Sequence, residues 1–141
     1  AQGKLEEAEA LFQQCLAVKK KVLGPDHPST LMSMNNLADL LQAQGKLAEA
    51  EPLFQQCLAG RKKVLGPDHP DTLITMYNFA SFLEEKGDLA NMETHARQSL
   101  EGYFSLGLTS DVKDGVEQLT AILRAQGKDE EAAAVEQTYS N

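Results

Sequence analysis

Two Asp-His pairs are the residues of this sequence whose types could do chemistry. Asp26-His27 and Asp68-His69 each lie within the string GPDHP. A carboxylate that orients an imidazole is part of many charge-relay sites, and imidazole is also a common metal ligand. The two pairs, however, lie 42 residues apart, and an active site or metal site has no reason to be duplicated at a fixed interval. We therefore interpret both pairs as linker residues and helix caps.

The two cysteines, Cys15 and Cys57, show the same 42-residue spacing. A disulfide requires Cα atoms within about 7 Å of each other, and stacked repeats usually hold equivalent positions farther apart. We predict that both are buried, unbonded thiols in equivalent environments. Reduced thiols favour an intracellular protein, with the cytoplasm as first choice. An organelle stays open, because the sequence begins with Ala1 rather than Met and we interpret it as an excerpt of a longer chain.

Motifs that hold cofactors are not found in the sequence. It contains no Walker loop, no G-x-G-x-x-G, no H-E-x-x-H and no paired-cysteine zinc spacing. We expect no enzyme activity, no cofactor and no metal. The net charge of −8 and the pI of about 4.8 argue against nucleic acid as a partner. No apolar run approaches the roughly 20 residues of a transmembrane helix, so we expect no direct membrane insertion.

The elements that must position these residues form an internal repeat. Residues 1–24 and 43–66 differ at only four positions, and LGPDHPSTL at 23–31 returns as LGPDHPDTL at 65–73. A third copy has drifted, and a fourth is degenerate. The sequence therefore predicts one array over 1–141, with a partial repeat at 1–24, repeats at about 25–66 and 67–107, and a degenerate terminal repeat at 108–141.

Each repeat contains two helical patterns. Between Pro28 and Ala43, apolar residues recur every three or four positions, as they do on one face of a helix. Gly45 and its repeat equivalents predict the turns, Gly3 among them. No segment alternates with period two, so we predict an all-α protein without strands. The predicted helices are 4–22, 28–43, 46–64, 70–86, 88–105, 110–126 and 128–139.

The repeat resembles the tetratricopeptide repeat, in its 42-residue, kinesin-light-chain-like form. The strings that carry the resemblance are NNLA at 35–38, the QGKL turn at 44–47 and the LGPDHP linker. The large and small positions of that family's helix pair match Met34, Leu37, Ala38 and Leu41, followed by Ala50, Phe54 and Cys57. The resemblance implies a right-handed superhelical solenoid, whose first helices line a concave groove that binds extended peptides or helices.

The same resemblance implies which residues line that groove. Asn36 and Asn78 are equivalent, Gln118 is third in the row, and the family uses Asn here to hold a peptide backbone. Alternatively, Asn36 and Asn78 only tie neighbouring helices together. The first helices are acidic overall, so we expect a neutral or basic segment of a partner protein. The groove candidates are Asn35, Asn36, Asp39, Tyr77, Asn78, Ser81, Gln118 and Arg124.

Three functions remain open at this stage. The first is a non-catalytic scaffold that binds a peptide or helix of a partner. The second is a structural or assembly subunit, packed within a larger multiprotein complex. The third is the repeat array of a larger signalling ATPase.

One local substitution points to a contact. In the third repeat, Tyr103 and Phe104 replace a basic cluster of the earlier copies. These rings either mark a contact surface or are covered by the fourth hairpin. The short linker at 106–109 favours cover by the hairpin.

Overall fold

A computed structural model describes residues 2–140, and it confirms the all-α prediction. Within those residues there are seven α-helices and no strand. The helices are α1 (Gln2–Leu23), α2 (Pro28–Ala43), α3 (Leu47–Leu65), α4 (Pro70–Lys86), α5 (Leu89–Ser105), α6 (Thr109–Ala125) and α7 (Asp129–Thr138).

The turn between α2 and α3 shows how the repeat ends its helices. Gly45 has a φ of 77°, in the left-handed region that a side chain disfavours. Its N–H donates to the Gln42 carbonyl at 2.9 Å, and the Lys46 N–H donates to the Leu41 carbonyl at 2.8 Å. This pair of bonds satisfies the last carbonyls of α2 and reverses the chain into α3.

Gly3 does not form the turn that its repeat position predicts. It lies inside α1, which begins at Gln2. The Gly45 turn is fixed by hydrogen bonds to carbonyls of α2, whereas Gly3 is not among the glycines with a positive φ. Its backbone is helical, a conformation that glycine adopts as readily as the turn when no such bonds fix it.

The two Asp-His pairs do belong to helix starts. His27 is the N-cap of α2, and its Nδ1 accepts a hydrogen bond from the Ser29 N–H at 3.1 Å. His69 Nδ1 accepts the equivalent bond from the Asp71 N–H at 3.1 Å. Each imidazole therefore satisfies an N–H that would otherwise lack a partner at the helix start.

The chain divides into two units, Ala1–Thr72 and Leu73–Asn141, with the boundary in the first turn of α4. In the first unit, α1 and α3 both pack on α2. Leu31 of α2 lies directly against Gly60 of α3, and a Cβ atom at Gly60 would overlap its methyl carbons. A glycine is thus required for this close packing.

The second unit repeats this packing and adds aromatic side chains. Leu73 lies against Gly102 in the same way as Leu31 lies against Gly60. The rings of Phe79 and Phe82 are stacked, with centroids 5.9 Å apart. His95 meets Phe79 edge to face at 4.8 Å. The contacts of Leu73 and Phe79 join α4 to α5.

The cysteines differ, and the prediction of two buried thiols is wrong for Cys15. Cys57 is fully buried, its thiol donates to the Leu31 carbonyl at 3.4 Å, and burial raises its pKa. Cys15 is exposed. Cys57 is covered by α2 at Leu31, whereas Cys15 lies at the open junction between α1 and α2, beside Ser33 and Asn36. Neither thiol forms a disulfide.

Candidate functional site

The first unit contributes three predicted groove residues, all on α2. Asn35 Nδ2 donates a hydrogen bond to Asp39 Oδ2 at 3.2 Å, one helical turn away. Partial burial raises the pKa of the Asp39 carboxyl. Asn36 is exposed, and no hydrogen bond to its amide is found among residues 2–140. The face therefore offers one carboxylate and one free amide.

A small cavity of about 160 Å³ adjoins Asn36, where α2 meets α1. Phe12 and Cys15 supply its α1 wall, and Ser33 stands beside Asn36 on α2. Lys19 Nζ donates to Ser33 Oγ at 2.8 Å across this junction. The cavity has the size of one small side chain, with a polar rim.

In the second unit, Gln118 links two helices. Its Nε2 on α6 donates to the Tyr77 carbonyl at 3.2 Å and to Ser81 Oγ at 3.0 Å, both on α4. Ser81 Oγ in turn donates to the Tyr77 carbonyl at 3.3 Å. Three predicted groove residues are thus brought together. At Gln118, the amide ties neighbouring helices, which is the role that the sequence left open for Asn36 and Asn78.

Asn78 lies on the same helix as Tyr77 and Ser81 and differs from Gln118. Its side chain is exposed, and among residues 2–140 no hydrogen bond to its amide is found. Burial raises the pKa of the neighbouring Tyr77, and the negative charges of Asp114 and Glu117 raise that pKa further. The electrostatic potential around Asn78 is therefore negative. A cation near this face would therefore be attracted.

Arg124 is engaged elsewhere. Its Nη2 donates to Glu136 Oε1 of α7 at 2.7 Å, and both side chains are about half exposed, at 50% and 48%. This ion pair offsets the positive charge of Arg124, the one basic residue among the predicted groove residues.

Sequence reasoning missed a carboxylate that occurs in both units. Glu9 of α1 accepts from Gln44 Nε2 at 3.2 Å and from Lys46 Nζ at 2.9 Å, in the turn before α3. These hydrogen bonds, with the charge of Lys46, lower the pKa of Glu9 despite some desolvation. The carboxylate thus fixes α1 to the next turn.

Glu93 of α5 makes the equivalent contacts in the second unit. It accepts from Lys128 Nζ at 2.9 Å, Gln126 Nε2 at 2.8 Å and Arg97 Nε at 2.9 Å. Led by the bond from Lys128, these donors lower its pKa to about 2 against partial desolvation. Glu9 and Glu93 lie two repeat periods apart, and their donors lie in equivalent turns, so the spacing was a signal that could have identified both.

The second unit also has an open cavity of about 480 Å³ near its last helix. Phe104, Val112, Val116 and Tyr139 form its apolar wall, and Phe104 and Tyr139 meet edge to face at 5.0 Å. Tyr103 is buried, which raises its pKa to about 12, while Phe104 remains 53% exposed. The fourth hairpin covers Phe104 only in part, through Tyr139 of α7.

Within residues 2–140, no group of three or more His, Cys, Asp or Glu side chains could hold a metal ion. Every helix in that range is too short or too polar to span a lipid bilayer.

The comparison with protein families identifies the repeat. The tetratricopeptide repeat model matches residues 1–63 and 33–105, which together make up well over half of the sequence. The chain belongs to the tetratricopeptide repeat family. Proteins of this family are typically non-catalytic scaffolds that bind other proteins. Among curated proteins, none matches this chain.

Solved structures place this tetratricopeptide array among kinesin-light-chain-like proteins. It is similar to a Podosopora anserina kinesin light chain with nearly identical TPR-like repeats, at 26% identity and a TM-score of 0.86. A variant of that protein with one residue changed is 25% identical to this chain, with a TM-score of 0.87. In both cases the match covers 98% of this chain and 66% of the other.

A more distant structure shares the fold alone. BtubC (BKLC) from P. vanneervenii has 16% identity and a TM-score of 0.88, and the match covers 98% of this chain and 56% of that one. The array thus spans about half to two thirds of the length of the chains it resembles.

Proposed function

We propose that this tetratricopeptide array is a protein-interaction scaffold, in which the exposed face of α2 in the first unit and the exposed face of α4 in the second unit each bind the backbone of a partner's peptide. The observation that carries the proposal is the state of Asn36 and Asn78. They occupy equivalent repeat positions, both are exposed, and neither amide has a hydrogen bond within residues 2–140. A free amide can both donate to and accept from a peptide backbone.

The contrast with Gln118 supports this role for the two asparagines. Gln118 donates its N–H groups to the Tyr77 carbonyl and to Ser81 Oγ, so its amide stabilises the second unit. Asn36 and Asn78 make no such bond to any of the described residues. Exposed polar side chains without a part in packing are available for recognition.

Charge indicates the class of peptide. The exposed face of the second unit carries Glu84, Asp114 and Glu117, and the basic side chain of Arg124 is paired with Glu136. In the first unit, Asp39 is a charged group on the same face of α2. We therefore expect a neutral or basic segment, bound more tightly at low salt.

The experiment is a selection of binding peptides from a random library, followed by affinity measurement with the double variant N36A/N78A. Each lost backbone hydrogen bond contributes about 0.5–1.5 kcal/mol, so affinity should fall by about tenfold or more. The matched control is Q56A/Q98A, which removes two exposed amides at equivalent positions of α3 and α5. This control should bind like the parent chain.

Two results would contradict the proposal. One is equal binding by N36A/N78A and the parent chain. The other is a set of partner contacts that maps to α3 and α5, in which case the array is a structural subunit that packs against a larger assembly. Circular dichroism of each variant confirms that the helices are intact.

A further inference from the structure

Tyr103 of α5 lies where α4 and α6 both pack on α5, and its side chain is only 3% exposed. Leu73 of α4 lies against Gly102, the residue before it. Leu100, three residues earlier, packs on Gly115 of α6, where a Cβ atom would lie 3.2 Å from Leu100 Cδ1. The ring of Tyr103 is therefore buried among three consecutive helices of the second unit.

The hydroxyl groups of Tyr103 and Tyr77 form no hydrogen bond within residues 2–140. The bonds that Gln118 Nε2 and Ser81 Oγ donate to Tyr77, at 3.2 and 3.3 Å, end on its main-chain carbonyl. They hold α6 against α4 and leave the phenol of Tyr77 without a partner. Because a buried tyrosine hydroxyl usually bonds to a polar group, its lack of a partner at Tyr103 points to a ligand.

Two carboxylates of α6 stand beside these hydroxyl groups. Asp114 is exposed, Asp111 is partly exposed, and neither forms an ion pair within residues 2–140. Burial raises the pKa of Tyr103 to about 12, and the charges of Asp111 and Asp114 add to that rise. Asp114 also acts on Tyr77, whose pKa is raised first by burial. Lys113 lines the open cavity near the last helix instead. The tyrosines and aspartates thus form a negative patch that attracts a cation.

The arrangement of these acceptors indicates which cation fits. They come from three helices, and no group of carboxylates within residues 2–140 converges closely enough to hold a metal ion. An ammonium group is a compact charge with three donors. A guanidinium group is planar and carries five N–H donors in a fixed fork, so it can bond to several separated acceptors at once. An arginine side chain therefore matches the patch best.

We infer that Tyr77, Tyr103, Asp111 and Asp114 form an anchor site for an arginine side chain of the bound peptide. The guanidinium N–H groups donate to the two carboxylates and to the two phenol oxygens. The inference rests on the proposed function, because Asn78, next to Tyr77, holds the backbone of the same peptide there. All four side chains belong to α4, α5 and α6, so the anchor site is complete within the second unit.

The first experiment uses two small cations, propylguanidinium and butylammonium, which carry no amide for an asparagine to bind. Each is titrated at low salt into the chain, and the backbone amide signals are followed by nuclear magnetic resonance. Propylguanidinium should shift the signals of residues 74–78, 103 and 111–115, and it should bind about threefold or more tightly than butylammonium. Equal affinity of the two cations, or shifts elsewhere, would overturn the inference.

Variants test the named side chains. D114N removes one charge at constant shape and should weaken propylguanidinium binding about five- to tenfold. Y103F keeps the buried ring, removes the hydroxyl and should weaken binding about threefold. The matched controls are D129N and Y139F, which make the same changes on α7. Both controls should bind like the parent chain. If D114N and D129N weaken binding equally, only net charge matters and the anchor site does not exist.

Peptides selected from the random library separate this inference from the proposed function. Replacing their arginine by norleucine should weaken binding to the parent chain about tenfold and to D114N much less, because the two changes remove the same contact. Equal losses, or selected peptides without arginine, would overturn the anchor site while N36A/N78A still tests the backbone site. If propylguanidinium binds as expected and N36A/N78A leaves peptide affinity unchanged, only the proposed function fails.

Discussion

The helices α1 and α3 have nearly the same sequence and different surroundings. Cys57 is completely buried on α3, while the equivalent Cys15 is exposed on α1. Phe54 is 1% exposed, while its equivalent Phe12 is 41% exposed. Identical side chains thus end in the core or in solvent according to whether another helix covers them. In a repeat array, burial belongs to the interface between neighbours and not to the repeat itself.

The largest difference should appear in thiol chemistry. Cys15 should react with iodoacetamide about a hundredfold or more faster than Cys57, since the reagent reaches an exposed thiol directly. Burial raises the pKa of Cys57, and its reaction must wait for α2 to open from α3. Mass spectrometry of the alkylated peptides measures both rates. Equal rates in native buffer would show that α2 does not protect α3.

The next largest effect should come from exchanging Gly60 of α3 with its equivalent in α1, Val18. Gly60→Val gives α3 the valine of α1, and the overlap with Leu31 should destabilise the first unit by about 2–3 kcal/mol. The reverse change, Val18→Gly, removes no buried side chain and should cost about 0.3–0.5 kcal/mol of helix propensity. Urea unfolding followed by circular dichroism measures both.

A second substitution checks the cause of that loss. Leu31→Ala in the Gly60→Val background should recover part of the stability, because it removes the overlapping methyl groups. An additive loss of stability in the double variant would mean that Leu31 and residue 60 do not interact.

The carboxylates that fix α1 and α5 to the next turn give a smaller, pH-dependent effect. The donors to Glu93 lower its pKa from 4.5 to about 2, so its contribution to stability is complete above the unfolded value and is lost as the pH falls towards 2. After allowance for solvent screening, we expect about 1–2 kcal/mol. The variant E93Q should lose this part of the pH dependence. E130Q, at an exposed position of α7, should keep it.

The sequence predicted the helices better than it predicted the contacts between them. The period and the turn glycine at Gly45 predicted the helices, because local backbone preferences and apolar spacing repeat with the sequence. They failed at Gly3 and Cys15, where the structure depends on a neighbour and not on the local residues. For the candidate site, the sequence predicted which positions lie on one helix. It could not predict that Gln118 bonds to α4, since that depends on side-chain distances between helices.

The smallest expected effect concerns the cap of α2, the helix that makes the difference between the two cysteines. His27 Nδ1 accepts from the Ser29 N–H, and His27→Ala leaves that N–H without its partner. Losing an N-cap acceptor costs about 0.5–1 kcal/mol. Alkylation of Cys57 should therefore become about two- to fivefold faster, because α2 opens more often. The rate at Cys15 should not change, since that thiol is already exposed. His27→Asn keeps a good N-cap acceptor and should restore the slow rate at Cys57. Equal acceleration at both cysteines would mean that the substitution loosens the whole unit and not the cover of α3.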